Sequence, residues 1–114
     1  MAVVGAILGD IAGSQYEFHR PEGLDFRHCE LFTERCRFTD DTVMTLAVKK
    51  AILEKKDLTD TMREIGQLYP DSGYGGNFYY WMFGERPKPY NSFGNGSAMR
   101  VSFVGEYFQD ISEV

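Results

Sequence analysis

"FTDDTVMTLAV", residues Phe38 to Val48, passes from two adjacent carboxylates set between threonines into a mainly apolar run. Thr39 is a good helix cap, because its side-chain oxygen can accept a hydrogen bond from a first-turn N–H. Carboxylates just behind it meet the positive end of the helix dipole, which is worth about 0.3–1 kcal/mol. The pattern predicts a helix from near Thr39 to about Lys56, with Val43, Leu46, Ala47 and Ile52 available for burial. Lys49, Lys50, Lys55 and Lys56 come late, the order the dipole favours. Capping alone requires neither a second threonine, Thr42, nor two acids whose side chains diverge by about 100° around the helix. A hard divalent cation uses oxygen ligands of this kind, and Mg²⁺ commonly takes one or two carboxylates while keeping several waters. Local physics leaves both roles open for Asp40 and Asp41.

On the N-terminal side, Val4, Ile7, Leu8 and Ile11 recur at helical spacing and predict a helix from about Val3 to Tyr16. Gly5, Gly9 and Gly13 stand every fourth residue along it, each costing roughly 1 kcal/mol relative to alanine. A second helix approaching that face closely is the structural reading. From about His19 to Arg37 no period is sustained, and Pro21 and Gly23 mark a loop. On the C-terminal side, Leu58, Met62, Ile65 and Leu68 form the stripe of a third helix, Leu58 to Tyr69, stopped by Pro70. The aromatic cluster Phe78 to Phe83 reads as a short helix after a glycine-rich loop. Pro87, Pro89, Gly94 and Gly96 mark another loop, and Ala98 to Phe108 reads as a last helix capped by Asn95 or Ser97. Only "RVSFVGEYF" alternates like a strand, and it is short. The expected class is all-α in a single domain spanning residues 1–114.

Seventeen acidic against twelve basic residues give a net charge of -5, which offers no general attraction to nucleic-acid phosphates. The apolar stretch Val3 to Ile11 is interrupted by Asp10 and lacks a basic flank. It therefore fits neither a secretory signal nor a membrane span of about 20 residues, and the expected location is cytoplasmic, without a membrane partner. Cys29 and Cys36 have no zinc-site spacing and read as two free thiols.

Two glycine-rich stretches remain, "GYGG" (residues 73–76) and "FGNGSAMR" (residues 93–100). Turns account for glycine at such places. The second also suits a phosphate, because backbone N–H groups at a helix start lie close in sequence to Ser97 and Arg100. Neither stretch matches the phosphate-loop or dinucleotide fingerprints.

Taken in order, "GAILGDIAGSQYEF", "FTDDTVMTLAV", "GYGGNF" and "FGNGSAMRV" resemble the N-terminal part of the ADP-ribosylglycohydrolase family, which includes the dinitrogenase reductase-activating glycohydrolases. The resemblance runs from residue 5 to about residue 108. It implies an all-helical hydrolase that removes ADP-ribose from modified side chains or small molecules with a pair of divalent cations, Mg²⁺ or Mn²⁺. On that resemblance Thr39, Asp40 and Asp41 are metal ligands and Glu17 is the acid near the catalytic centre, while Asp10 has a structural or supporting role. Gly75, Gly76, Asn95, Gly96, Ser97, Met99 and Arg100 fall in the segments that line the ADP-ribose site. The family's second ligand set, an Asp-x-Asp-Thr motif from the C-terminal part, has no counterpart in this sequence. Three expectations follow: a truncated product, a complementing chain that supplies the missing helices, or a homo-oligomer formed through exposed apolar surface that includes part of the Phe78 to Phe83 cluster. The alternative function is a module that binds ADP-ribose or a nucleotide without turnover.

Overall fold

The computed structural model describes residues 1–114 and contains helices only: α1 (Ala2–Ser14), α2 (Asp40–Glu54), α3 (Leu58–Leu68), α4 (Gly76–Phe83), α5 (Gly96–Met99) and α6 (Ser102–Tyr107), closed by a 3₁₀ turn at Ile111–Glu113. The all-α class is as expected, and "RVSFVGEYF" forms no strand. No helix is long and apolar enough to cross a membrane.

α2 is the central element and packs against α1, α3, α5 and α6, while α4 packs on α3. Its buried side chains are Val43, Met44, Ala47, Val48 and Ala51, a stripe at spacings of one, four, five and eight. Leu46, expected in the core, lies off this stripe and is exposed. The stripe on α3 is displaced in the same way. Met62 is buried, but Leu58 and Leu68 are exposed, and Thr61 and Gly66 take inward positions instead. Thr61 is accommodated there because its hydroxyl donates to the Asp57 carbonyl at 2.7 Å, which leaves no orphaned polar atom.

The glycine that permits a close approach is Gly66. A Cβ on it would lie 2.1 Å from the Met82 sulfur and 3.2 Å from the Met44 methyl group. Gly5, Gly9 and Gly13 show the opposite, since a Cβ on any of them meets nothing within 4 Å. The helix expected against that face is absent from this chain's fold.

The single C-terminal helix expected from Ala98 to Phe108 is two short ones. Thr45, fully buried on α2, donates its hydroxyl to the Met99 carbonyl at 3.2 Å. That carbonyl is the one a continuous helix would offer to residue 103. The chain therefore turns at Arg100 and Val101, and Phe103 is buried one element later.

Candidate functional site

The acidic turn is built from two helices. Asp10 projects from α1 into the start of α2, where one carboxylate accepts four hydrogen bonds. They come from the Thr39 N–H (2.8 Å), the Thr39 hydroxyl (2.6 Å), the Thr42 N–H (3.2 Å) and the Thr42 hydroxyl (2.6 Å). Both threonines are buried. Thr39 also caps α2, accepting from the Asp41 N–H at 3.3 Å. The remaining first-turn N–H, that of Asp40, donates to the Ser72 carbonyl at 2.7 Å. That bond ties the glycine-rich loop with Gly73, whose φ is +89°, to the acidic turn. "TDDT" is thus a capped helix start, with the cap supplied largely by another helix. The Thr39 hydroxyl oxygen stands 2.6 Å from Asp10 Oδ1 and 3.4 Å from Asp41 Oδ2, between the two carboxylates.

The two acids face different spaces. Asp40 lines a cavity of about 430 Å³ together with Gly75, Gly76, Asn95, Gly96, Met99 and Arg100. Asp41 lines a more open groove of about 590 Å³ with Asp10, Glu17, Gly9 and Gly13. Asn95 and Met99 belong to both walls. Ser97 stands apart, in a third hollow behind Arg100 with Leu58, Met62 and Trp81. Tyr90, Ser92 and Phe93 also line the first cavity. Sequence reasoning took them only as loop, although the aromatic residues bracketing Ser92 were a signal in "PYNSFG".

Arg100 is held by its surroundings. Its Nε donates to the Gly96 carbonyl, its Nη1 contacts the Met62 sulfur at 3.8 Å, and its guanidinium carbon sits 5.2 Å above the Phe78 ring centre. Phe78 in turn stacks on Tyr74 and Trp81, with centroids 5.7 and 5.1 Å away. Burial works against the guanidinium charge, while Tyr90, Asp40 and Asp41 favour it. The cleft therefore combines one fixed cation, a run of glycines and a carboxylate.

Burial pushes the Asp40 carboxyl from 3.8 up to about 6, with the charges of Asp41 and Glu17 adding to the shift. Asp41 is raised as well, first by burial and then by Asp10. A carboxyl whose folded pKa is raised favours the fold in its neutral form. This contribution is complete below the unfolded value of 3.8 and is lost as pH rises to about 6. Glu54 has the opposite sign, held down to about 2 by hydrogen bonds from Lys50 and Lys56, so its contribution is lost only in stronger acid. Without divalent ions, denaturation is expected to show greater stability near pH 4.5 than near pH 7. Asp40→Asn should flatten that decline, and an unchanged slope would contradict the assignment. No group of three or more His, Cys, Asp or Glu stands together as a complete metal cage.

The fold and site define an all-helical protein that sets an acidic, threonine-flanked turn beside a glycine-rich cleft with a held arginine. Residues 1–114 match the family model described as ADP-ribosylglycohydrolase, and the chain belongs to that family. It is 30% identical to the human (Homo sapiens) ADP-ribosylhydrolase ARH3 over 144 residues, covering 98% of this chain and 40% of that protein. It is likewise 30% identical to the mouse (Mus musculus) ADP-ribosylhydrolase ARH3, covering 98% of this chain and 39% of that protein. The chain thus spans about 40% of the length of these curated relatives. No solved structure matches it.

Proposed function

We propose that this chain carries the ADP-ribose-facing part of a metal-dependent glycohydrolase site, acting on the glycosidic bond that joins ADP-ribose to a protein side chain or small molecule. The observation that carries this reading is the meeting of the acidic turn and the glycine–arginine cleft across the shared wall of Asn95 and Met99. Thr39, Asp40 and Asp41 would hold Mg²⁺ or Mn²⁺. Their hard oxygen donors fit such a cation in type, and their number leaves positions for water, substrate hydroxyls and further protein donors. When bound, the metal supplies Lewis acidity and orients a nucleophile or a ribose hydroxyl.

The chain's own residues have separable tasks in this proposal. Cleavage at the ribose anomeric carbon develops positive charge on the ring, so carboxylates facing the ring stabilise it electrostatically. Glu17, exposed on the Asp41 side of the turn, positions water or moves a proton. Gly75 and Gly76 leave the cavity open where a Cβ would meet nothing within 4 Å, which lets a diphosphate lie against the backbone. Arg100, fixed by Phe78 and Gly96, supplies the compensating positive charge. A cytoplasmic location belongs to the same proposal and is supported by two free cysteines.

The test is calorimetry, titrating Mg²⁺ and ADP-ribose separately and together, with the Asp40→Ala plus Asp41→Ala variant as control. Metal-dependent ADP-ribose binding that the double variant abolishes is the expected result. Release of ADP-ribose from a modified peptide then separates turnover from binding alone. Absence of heat in every combination would reduce Asp40 and Asp41 to helix-starting acids.

A further inference from the structure

Two threonines of this fold are almost wholly enclosed, Thr45 on α2 and Thr61 on α3, each 1% exposed. A threonine inside a helix commonly satisfies its hydroxyl on the carbonyl one turn earlier. Thr61 does so, donating to the Asp57 carbonyl four residues back. Thr45 has the same option in the Asp41 carbonyl, yet it donates across the fold to the Met99 carbonyl at 3.2 Å. No other hydrogen bond joins α5 to α2.

The position of Thr45 gives this bond leverage over the cleft. Thr45 stands one turn after Asp41 on the same face of α2, and both line the open groove with Asn95 and Met99. Asn95 and Met99 also wall the cavity that Asp40 enters. The partition between the two spaces is therefore tied to the helix that carries the acidic turn. α5 has only four residues, none of them fully buried, so a single hydrogen bond weighs heavily in its placement. α6 is anchored independently, by the buried Phe103 under the Lys49 ammonium and by Glu106, which accepts from the Val3 N–H at 3.2 Å. In a continuous helix the Phe103 N–H would take the Met99 carbonyl, but no helical turn closes over Val101. Two donors thus contend for one carbonyl, and Thr45 has it.

We propose that Thr45 is a positioning residue for the ligand cleft, holding the Asn95–Met99 wall against the acidic turn so that one ligand meets both spaces. The inference rests on the ADP-ribose reading of the cleft. Thr45→Val keeps the shape and the burial but removes the donor. The Met99 carbonyl then passes to the Phe103 N–H, and because α6 is anchored it is α5 that moves.

Calorimetry on the full chain, titrating ADP-ribose at saturating Mg²⁺, tests the role. Thr45→Val is expected to weaken ADP-ribose binding about tenfold or more, and Thr45→Ser, which keeps the hydroxyl, to restore it. Mg²⁺ binding alone should be unchanged, since Asp10 and the Ser72 carbonyl fix Thr39, Asp40 and Asp41 without Thr45. Thr61→Val, at an equally enclosed hydroxyl that bonds only within α3's own first turn, should leave ADP-ribose binding intact. Amide hydrogen exchange supplies a readout without ligand, in which the Phe103 amide should slow in Thr45→Val. Thr45→Ala removes the same donor with less bulk and replaces the valine variant if that one loses its helical circular dichroism. Wild-type affinity in the donor-free variant would overturn the proposal, as would an equal loss in Thr61→Val. If the native chain binds no ADP-ribose with Mg²⁺, the ADP-ribose reading fails. The placement of the wall is then decided by the Phe103 amide, whose unchanged exchange would overturn it.

Discussion

Replacing Asp10 with alanine is expected to cost about 3–4 kcal/mol of folding stability, since it leaves buried donors without a partner and each such group costs roughly 1–3 kcal/mol. The four bonds onto this carboxylate are not independent, so their separate values do not add. A total stability on the order of 0.05–0.15 kcal/mol per residue means that such a loss removes a sizeable fraction of the whole. Asp10→Asn keeps the shape and one good acceptor but turns the other position into a donor facing donors, so about half the loss is expected. Urea denaturation followed by circular dichroism measures both. A loss below about 1 kcal/mol in each variant would show that Thr39's own capping bond and the Ser72 carbonyl suffice to start α2. The same substitutions remove a negative charge that raises Asp41 first and Asp40 to a smaller extent, so any folded Asp10→Ala protein should also show a shallower decline between pH 4 and 6.

The second large effect is at Met82, which has no exposed surface and fills the space over Gly66. Met82→Ala is expected to cost about 2–5 kcal/mol, from lost burial plus the cavity left between α3 and α4. The Met82 carbonyl still accepts from Gln67 at 2.7 Å and Arg63 at 3.2 Å, so α4 should loosen without detaching. Faster proteolysis near Gly75 and Gly76 would report that loosening at the rim of the cavity. Gly66→Ala provides the internal control. In the native background it gains about 1 kcal/mol of helix propensity and loses about 1–3 kcal/mol to overpacking, a net loss. In the Met82→Ala background the obstructing sulfur is gone, and the same substitution should stabilise. A change of sign between the two backgrounds is the diagnostic result. The same sign in both would mean that Met82 and Gly66 are not the packed pair described here.

Much of the architecture was legible from spacing. The first three helices begin and end within about two residues of where apolar periodicity, Thr39 and Pro70 place them, because those signals act within one or two turns of the chain. The order of the four motifs was legible for the same reason, and it led to the family that the comparisons establish. Periodicity was less informative about which face points inward. Leu46, Leu58 and Leu68 have the right character for a core yet are exposed, because a neighbour's position, not a residue's hydrophobicity, decides which side of a helix is covered. The glycines make the same point. Three of them at regular spacing in α1 suggested a close contact, but the glycine under a packed side chain is Gly66, isolated in α3.

The sequence by itself determined that this chain is helical, where its longer helices start, and to which family its motifs belong, since caps, periodicity and local motifs are short-range properties. Only the tertiary structure decided that Asp10 organises Thr39 and Thr42, that Asp40 and Asp41 look into two separate spaces, and that Thr45 breaks the last helix by taking the Met99 carbonyl. Each of these depends on hydrogen bonds or cavities between segments tens of residues apart, whose meeting is set by the packing of α1, α5 and α6 around α2.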